Sequence, residues 1–148
     1  MGKILVVYYS TTGRTRRMAE LIAEGIRFTE HQVVTKETSE ISRASDLEGY
    51  DGYIFGTPTF YSNIADPVKA LVELARQADL AGKPAGTFGS HGHGGEAPRL
   101  LLELLECDLK MRPFDLGPFK LLESVVPTQE GMRGCHDYGM TFAERLGA

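Results

Sequence analysis

Four hydroxyls and a glycine fall within six residues in Ser10-Thr11-Thr12-Gly13-Arg14-Thr15, between an apolar run and an amphipathic stretch. A strand that passes to a helix through such a turn aims several backbone N–H groups at one spot, with the positive end of the helix dipole behind them. The chemistry this suits is phosphate binding. A triphosphate loop needs a lysine after its second glycine and a dinucleotide turn needs three spaced glycines, and this stretch has neither. The hydroxyls of Ser10, Thr12 and Thr15, with the backbone amides, suit one terminal phosphate of the kind a mononucleotide carries. Arg14 either meets that phosphate or joins Arg16 and Arg17 in a solvated face. Ser10 or Thr11 alone would serve as an N-cap, but a cap needs one such residue rather than four.

Two further stretches carry unusual residue types. Gly56-Thr57-Pro58-Thr59-Phe60-Tyr61-Ser62-Asn63 offers Phe60 and Tyr61 as flat faces, with Asn63 and exposed backbone of Thr57, Pro58 and Thr59 as polar edge contacts. Ser90-His91-Gly92-His93-Gly94-Gly95-Glu96 offers glycines past which backbone can approach a ligand closely, and two imidazoles. A planar heterocycle stacked on aromatics, with a monophosphate tail, fits the three together. Flavin mononucleotide (FMN) is the expected cofactor. Gly92 to Ala97 formally satisfies G-x-G-x-x-A, but it follows the fourth apolar run rather than the first. His91 and His93 have no carboxylate or cysteine partner in a ligand-like spacing, so no metal is expected. Glu96 reads as a cap for the helix that follows. No acid occurs from Thr57 to Ala65 or from Ser90 to Gly95, which leaves His91 and His93 as potential cations beside a bound ring.

The elements that must hold these stretches alternate. Ile4 to Tyr9 is a continuous apolar run, as in a strand covered on both faces, and Met18, Leu21, Ile22, Gly25 and Ile26 recur at helical spacing. His31 to Lys36 is half apolar and reads as an edge strand. A brief helix at Ser45-Asp46-Leu47 precedes a third strand at Tyr53-Ile54-Phe55. Asp66-Pro67 reads as a cap with proline at the first helical position, ahead of Val68, Leu71, Val72 and Ala75. Pro84 to Gly89 reads as a fourth strand, followed by a helix lined by Leu100, Leu101, Leu104 and Leu105. Asp108 to Lys120 has no clear period, Leu121 to Val126 reads as a fifth strand, and Thr128 caps a last helix with a stripe of Met132, Cys135, Gly139, Phe142 and Leu146. This alternation predicts a single α/β domain over 1–148: a doubly wound, five-stranded parallel sheet of order 2-1-3-4-5 with helices on both faces. Ligands bind such sheets beyond the carboxyl ends of the strands, at the switch between strands 1 and 3. The three unusual stretches follow strands 1, 3 and 4 and should converge there.

Bulk properties bound the partners. A 148-residue chain that is 42% hydrophobic suits one buried core. With a formal net charge of −4 and no basic stripe, nucleic acid is not an expected partner. No membrane-length apolar run or cleavable signal is evident, and Cys107 and Cys135 read as reduced core residues of a cytoplasmic protein. A receiver domain of the response-regulator kind shares this topology, but it needs acids at the ends of strands 1 and 3, where Tyr9-Ser10 and Gly56-Thr57 stand.

From these residues the chain resembles the flavodoxin family, over essentially its whole length. Ser10-Thr11-Thr12-Gly13-Arg14-Thr15 is similar to that family's phosphate loop. Gly56-Thr57-Pro58-Thr59 with Tyr61 and Asn63 resembles the flavin loop of quinone reductases of the tryptophan-repressor-binding-protein type. Phe88 to Ala97 is similar to the flavodoxin domain of flavodiiron proteins, with His91 and His93 where those often carry aromatics. With no long insertion splitting the fifth strand, the chain resembles the short type. The resemblance implies an FMN-binding electron-transfer protein whose partner is a redox protein or a small quinone. A quinone reductase drawing on a nicotinamide donor and a non-catalytic interaction domain are the alternatives. The flavin would perform the electron chemistry, so no side chain is expected to be catalytic. The oligomeric state stays open.

Overall fold

The computed structural model describes residues 2–60, 63–92 and 94–146, with the side chain of Phe60 left aside. Strand β1 (Lys3–Tyr8) is buried from Ile4 onward and pairs in parallel with β2 (Gln32–Glu37) on one side and β3 (Gly52–Gly56) on the other. β3 pairs with β6 (Pro84–His91), whose far edge carries two short parallel strands, β7 (Arg112–Pro113) and β8 (Phe119–Leu122). The expected order 2-1-3-4-5 is therefore observed, with β2 at an edge and the fifth position shared by β7 and β8.

The run Ile4–Tyr8 is uniformly apolar because successive side chains enter opposite cores. Ile4, Val6 and Tyr8 pack with helices α1 (Arg14–Arg27) and α4 (Gln129–Glu144), while Leu5 and Val7 pack with α2 (Asp66–Ala75) and α3 (Ala97–Cys107). Met18, Leu21, Ile22 and Ile26 are buried as their spacing required. Glycine lets α1 and α4 touch: a Cβ on Gly25 would strike the His136 carbonyl, and one on Gly139 the Ile22 carbonyl. The Thr128 hydroxyl caps α4 by accepting from the Gly131 N–H at 3.1 Å. A 3-10 turn at Ala44–Leu47 corresponds to the brief helix.

Several expectations need correction. The fifth strand ends at Leu122, not Val126, because the N–H groups of Val125 and Val126 turn back onto the Leu122 carbonyl ahead of the Thr128 cap. It is preceded by β7, separated where Gly117 adopts φ +76° and Pro118 offers no N–H to a ladder. Ala65, not Asp66, is the N-cap of α2, which places Pro67 second in the helix; the Asp66 side chain is 96% exposed and caps nothing. In α3, Leu101 and Leu105 are buried with Leu102, whereas Leu100 and Leu104 are only partly covered and line a groove with Ile64 and Val72. Cys107 is exposed; only Cys135 lies in the core. Among the described residues no helix is long and apolar enough to cross a membrane.

Candidate functional site

The first stretch leaves β1 at Tyr9 and turns at Gly13, whose φ of +90° is the left-handed conformation that glycine adopts without strain. Gly13 is the N-cap of α1, and no side chain caps that helix. Ser10 and Thr11 are therefore not helix caps. Ser10 Oγ instead accepts from the Gly13 N–H at 3.1 Å, which fixes the turn. Thr11, Thr12, Gly13 and Arg14 are exposed. An uncapped helix start with no acid in its first turn and an exposed hydroxyl-rich loop before it is suited to an anion. Thr15 differs from its neighbours: it is 1% exposed, and its Oγ1 lies 3.0 Å from Oγ of Ser90, itself 3% exposed.

The second stretch contains a feature without a clear signal in the sequence. β4 (Thr59–Phe60) and β5 (Asn63–Ile64) pair antiparallel as a small hairpin, with Thr59 opposite Ile64 and Phe60 opposite Asn63. Its connecting residues, Tyr61 and Ser62, lie outside the described residues, so the aromatic face expected of Tyr61 is not placed. Thr57 and Pro58 are buried, contrary to the exposed backbone expected of them. The Thr57 hydroxyl donates to the Pro58 carbonyl at 2.9 Å and accepts from the Ala65 N–H at 3.2 Å, so it braces the loop from beneath. Thr59 is half-buried and Asn63 exposed. Between Tyr9, Asn63 to Pro67 and Lys69 lies a hollow of about 440 Å³, so Tyr9 at the head of the first stretch forms a wall with the second.

In the third stretch Ser90 and His91 belong to β6 rather than to a loop, because β8 extends their pairing: Ser90 lies opposite Leu121 and His91 opposite Leu122. Gly94 and Gly95 both adopt positive φ, at +73° and +145°, and Gly92 is exposed. His93 lies outside the described residues. Glu96 occupies the N-cap position of α3 but does not cap it; its carboxylate turns back to accept from the Gly95 N–H at 2.9 Å, and that bond holds its pKa below the usual carboxylate range.

The charge expectation also changes. Burial, reinforced by the Lys120 ammonium, pushes His91 below the ordinary imidazole range, against the pull of Glu96 and Glu123, so this residue resists becoming a cation. Lys120 and Glu123 reach the third stretch from β8 and the turn after it, and no spacing in the sequence associates them with it. The loop is acid-poor in sequence yet flanked by two carboxylates in space. Among the described residues no group of three or more His, Cys, Asp or Glu side chains could hold a metal.

The three stretches are bonded to one another. Tyr9 N–H donates to the Gly56 carbonyl, joining the first to the second. The Ala97 N–H donates to Thr59 Oγ1 at 3.2 Å, joining the second to the helix after the third, and the Thr15–Ser90 pair joins the first to the third. They thus meet at the carboxyl edge of the sheet, where the strand order reverses between β1 and β3.

A hydroxyl-rich loop, a small antiparallel strand pair and a glycine turn at the switch point of a 2-1-3-4-5 sheet define the flavodoxin-like class of α/β proteins. Comparison with known proteins agrees: the flavodoxin family model matches residues 6–107, and the chain belongs to the flavodoxin family. It is 32% identical over 148 residues to the probable flavodoxin 2 of Bacillus subtilis, covering 99% of this chain and 98% of that protein. It is also 30% identical over 148 residues to the putative diflavin flavoprotein A 4 of Nostoc sp., covering 97% of this chain but only 25% of the relative. The chain thus spans about a quarter of the length of the diflavin flavoproteins it matches. Among solved structures, a flavodoxin from the domain Archaea superposes with a TM-score of 0.87 at 28% identity, covering 99% of each chain.

Proposed function

We propose that the chain binds FMN in this crevice and serves as an electron carrier for a redox partner protein in the cytoplasm. The observation that supports the reading most is the bonding of all three stretches into one rim at the switch point. The phosphate would sit at the exposed turn of Ser10, Thr11, Thr12, Gly13 and Arg14, where the uncapped start of α1 supplies N–H groups and the dipole. Thr15 would act from behind, its hydroxyl holding Ser90 and so fixing the third stretch relative to the first. Thr57 would hold the hairpin in the same indirect way, leaving Thr59, Phe60, Tyr61 and Asn63 to meet the ring from one side and the His91 to Gly95 turn from the other.

Bound flavin accepts and returns electrons one or two at a time; the protein's share is to bind it, orient it and limit access of water. None of the side chains above is asked to transfer a proton to a substrate, and no catalytic residue is assigned. The test is the visible spectrum of the purified protein, with chromatography of the cofactor released by heat. FMN in near-stoichiometric amount supports the reading, and FAD alone or a colourless protein that binds no added FMN sinks it. Turnover of a nicotinamide donor with a small quinone would replace the carrier by the quinone reductase.

A further inference from the structure

We propose that His91 makes the grip of the third stretch on a bound ring depend on pH: the neutral imidazole lets Gly95 lie against its Cδ2–Nε2 edge, and protonation dislodges that contact. The proposal rests on the ligand reading above for its consequence, though not for its structural part. Nδ1 of His91 is fully buried and has no hydrogen-bond partner among the described residues. Buried polar atoms are nearly always paired, so an unpaired one marks a place where a change of charge state meets resistance. On a neutral ring the atom is tolerable as a bare lone pair. On an imidazolium both ring nitrogens are donors, and Nδ1 would carry an N–H with no acceptor among the described residues.

The surroundings decide whether the ring or the turn gives way. A Cβ built on Gly95 would lie 3.0 Å from Cδ2 and 3.2 Å from Nε2 of His91, and 2.8 Å from Cδ of Lys120, so the glycine is wedged between the two side chains. The backbone of His91 is held by β6–β8 pairing and by the Glu123 N–H on its carbonyl at 2.9 Å, whereas Gly94 and Gly95 sit in a short turn outside any strand or helix. The part free to move is the turn. Among the described residues four titratable groups bear on this arrangement: His91 itself on β6, Lys120 on β8, Glu123 in the turn after β8, and Glu96 at the head of α3. Lys120 opposes protonation, while Glu96 and Glu123 favour it; the Glu96 carboxylate is already engaged by the Gly95 N–H. Burial and Lys120 prevail, so His91 in the closed arrangement is pushed below its ordinary range. The closed turn is therefore fully favoured above the ordinary imidazole pKa and is lost as pH falls through the lowered one.

Riboflavin is the probe, because it lacks the phosphate whose own ionisation would overlay the effect. Its dissociation constant, read by quenching of flavin fluorescence, should rise about five-fold or more between about pH 7.5 and about pH 5. The curve should flatten in His91→Gln, and its midpoint should move to higher pH in Lys120→Met, which removes the opposing charge. In the ligand-free chain the Gly95 amide resonance should titrate together with the His91 ring, and that titration should vanish in His91→Gln. A Gly95 amide that does not follow the ring, or that titrates unchanged in His91→Gln, overturns the proposal. If neither FMN nor riboflavin bound at any pH, the ligand reading would fall instead, and the Gly95 measurement would still decide the role of His91.

Discussion

Removal of the Ser90 hydroxyl tests whether the first and third stretches are joined as described. Oγ of Ser90 and Oγ1 of Thr15 are 3.0 Å apart at 3% and 1% exposure, and 75 residues separate them in the chain. Ser90→Ala deletes one atom, so its packing cost is small, but it leaves Thr15 Oγ1 buried without its partner. An orphaned buried hydroxyl costs about 1–3 kcal/mol, and the variant should lose about 2 kcal/mol of stability. Thr15→Val orphans Ser90 in the same way while keeping the shape of the side chain, and should cost about as much. The double variant leaves no orphan and two apolar groups in contact, so its loss should be well below the sum of the singles, by a coupling of about 1–2 kcal/mol. Urea unfolding of the four proteins without added flavin supplies the cycle, with the slope of the transition checked for constancy. Single variants within about 0.5 kcal/mol of the parent, or a double variant equal to their sum, would refute the pairing as an energetic link.

Gly13→Asp should weaken FMN binding at least ten-fold, or about 1.4 kcal/mol, by placing a like charge at the phosphate turn; Gly13→Ala separates charge from backbone strain. No atom lies within 4 Å of a Cβ at Gly13, so the stability cost of either change, measured by urea unfolding, should be limited to the about 1–2 kcal/mol of a left-handed φ. At Gly89 the opposite holds: a Cβ would collide with the Thr57 carbonyl and press on Pro98, so Gly89→Ala should lower the thermal midpoint and cost about 3 kcal/mol or more. Under native conditions a disulfide thiol reagent should titrate one cysteine, the exposed Cys107, while Cys135, buried and with its thiol pushed up to about 12 by that burial, reacts only on unfolding. Two rapidly reacting thiols in the folded chain would contradict the core packing of α4 against α1.

The alternation of apolar runs with helical spacings carried the strand order, the two-sided burial of Ile4–Tyr8 and the place of the crevice, because these follow from local period and from the chirality of parallel crossovers. Gly13 was legible for the same reason, since a turn with φ above zero writes itself as glycine. What the chain could not show by itself arises between residues far apart. The hydroxyls of Thr11, Thr12 and Thr15 look equivalent in a row, yet only the fold turns Thr15 inward to Ser90 and leaves the other two in solvent. The backbone of Thr57 reads as exposed, but the fold buries the residue, with its N–H on the Phe88 carbonyl and its hydroxyl between Pro58 and Ala65. Leu100 and Leu104 share the apolar character of Leu101 and Leu105, yet only the second pair is buried in the core, while the first lines the groove with Ile64 and Val72. His91 reads as a cation in an acid-free loop; burial, with Lys120 brought beside it by the β6–β8 pairing, makes it resist the charge. Sequence period sets which face a residue occupies, but what that face meets, and therefore the charge state and accessibility of a side chain, is a property of the packed tertiary structure.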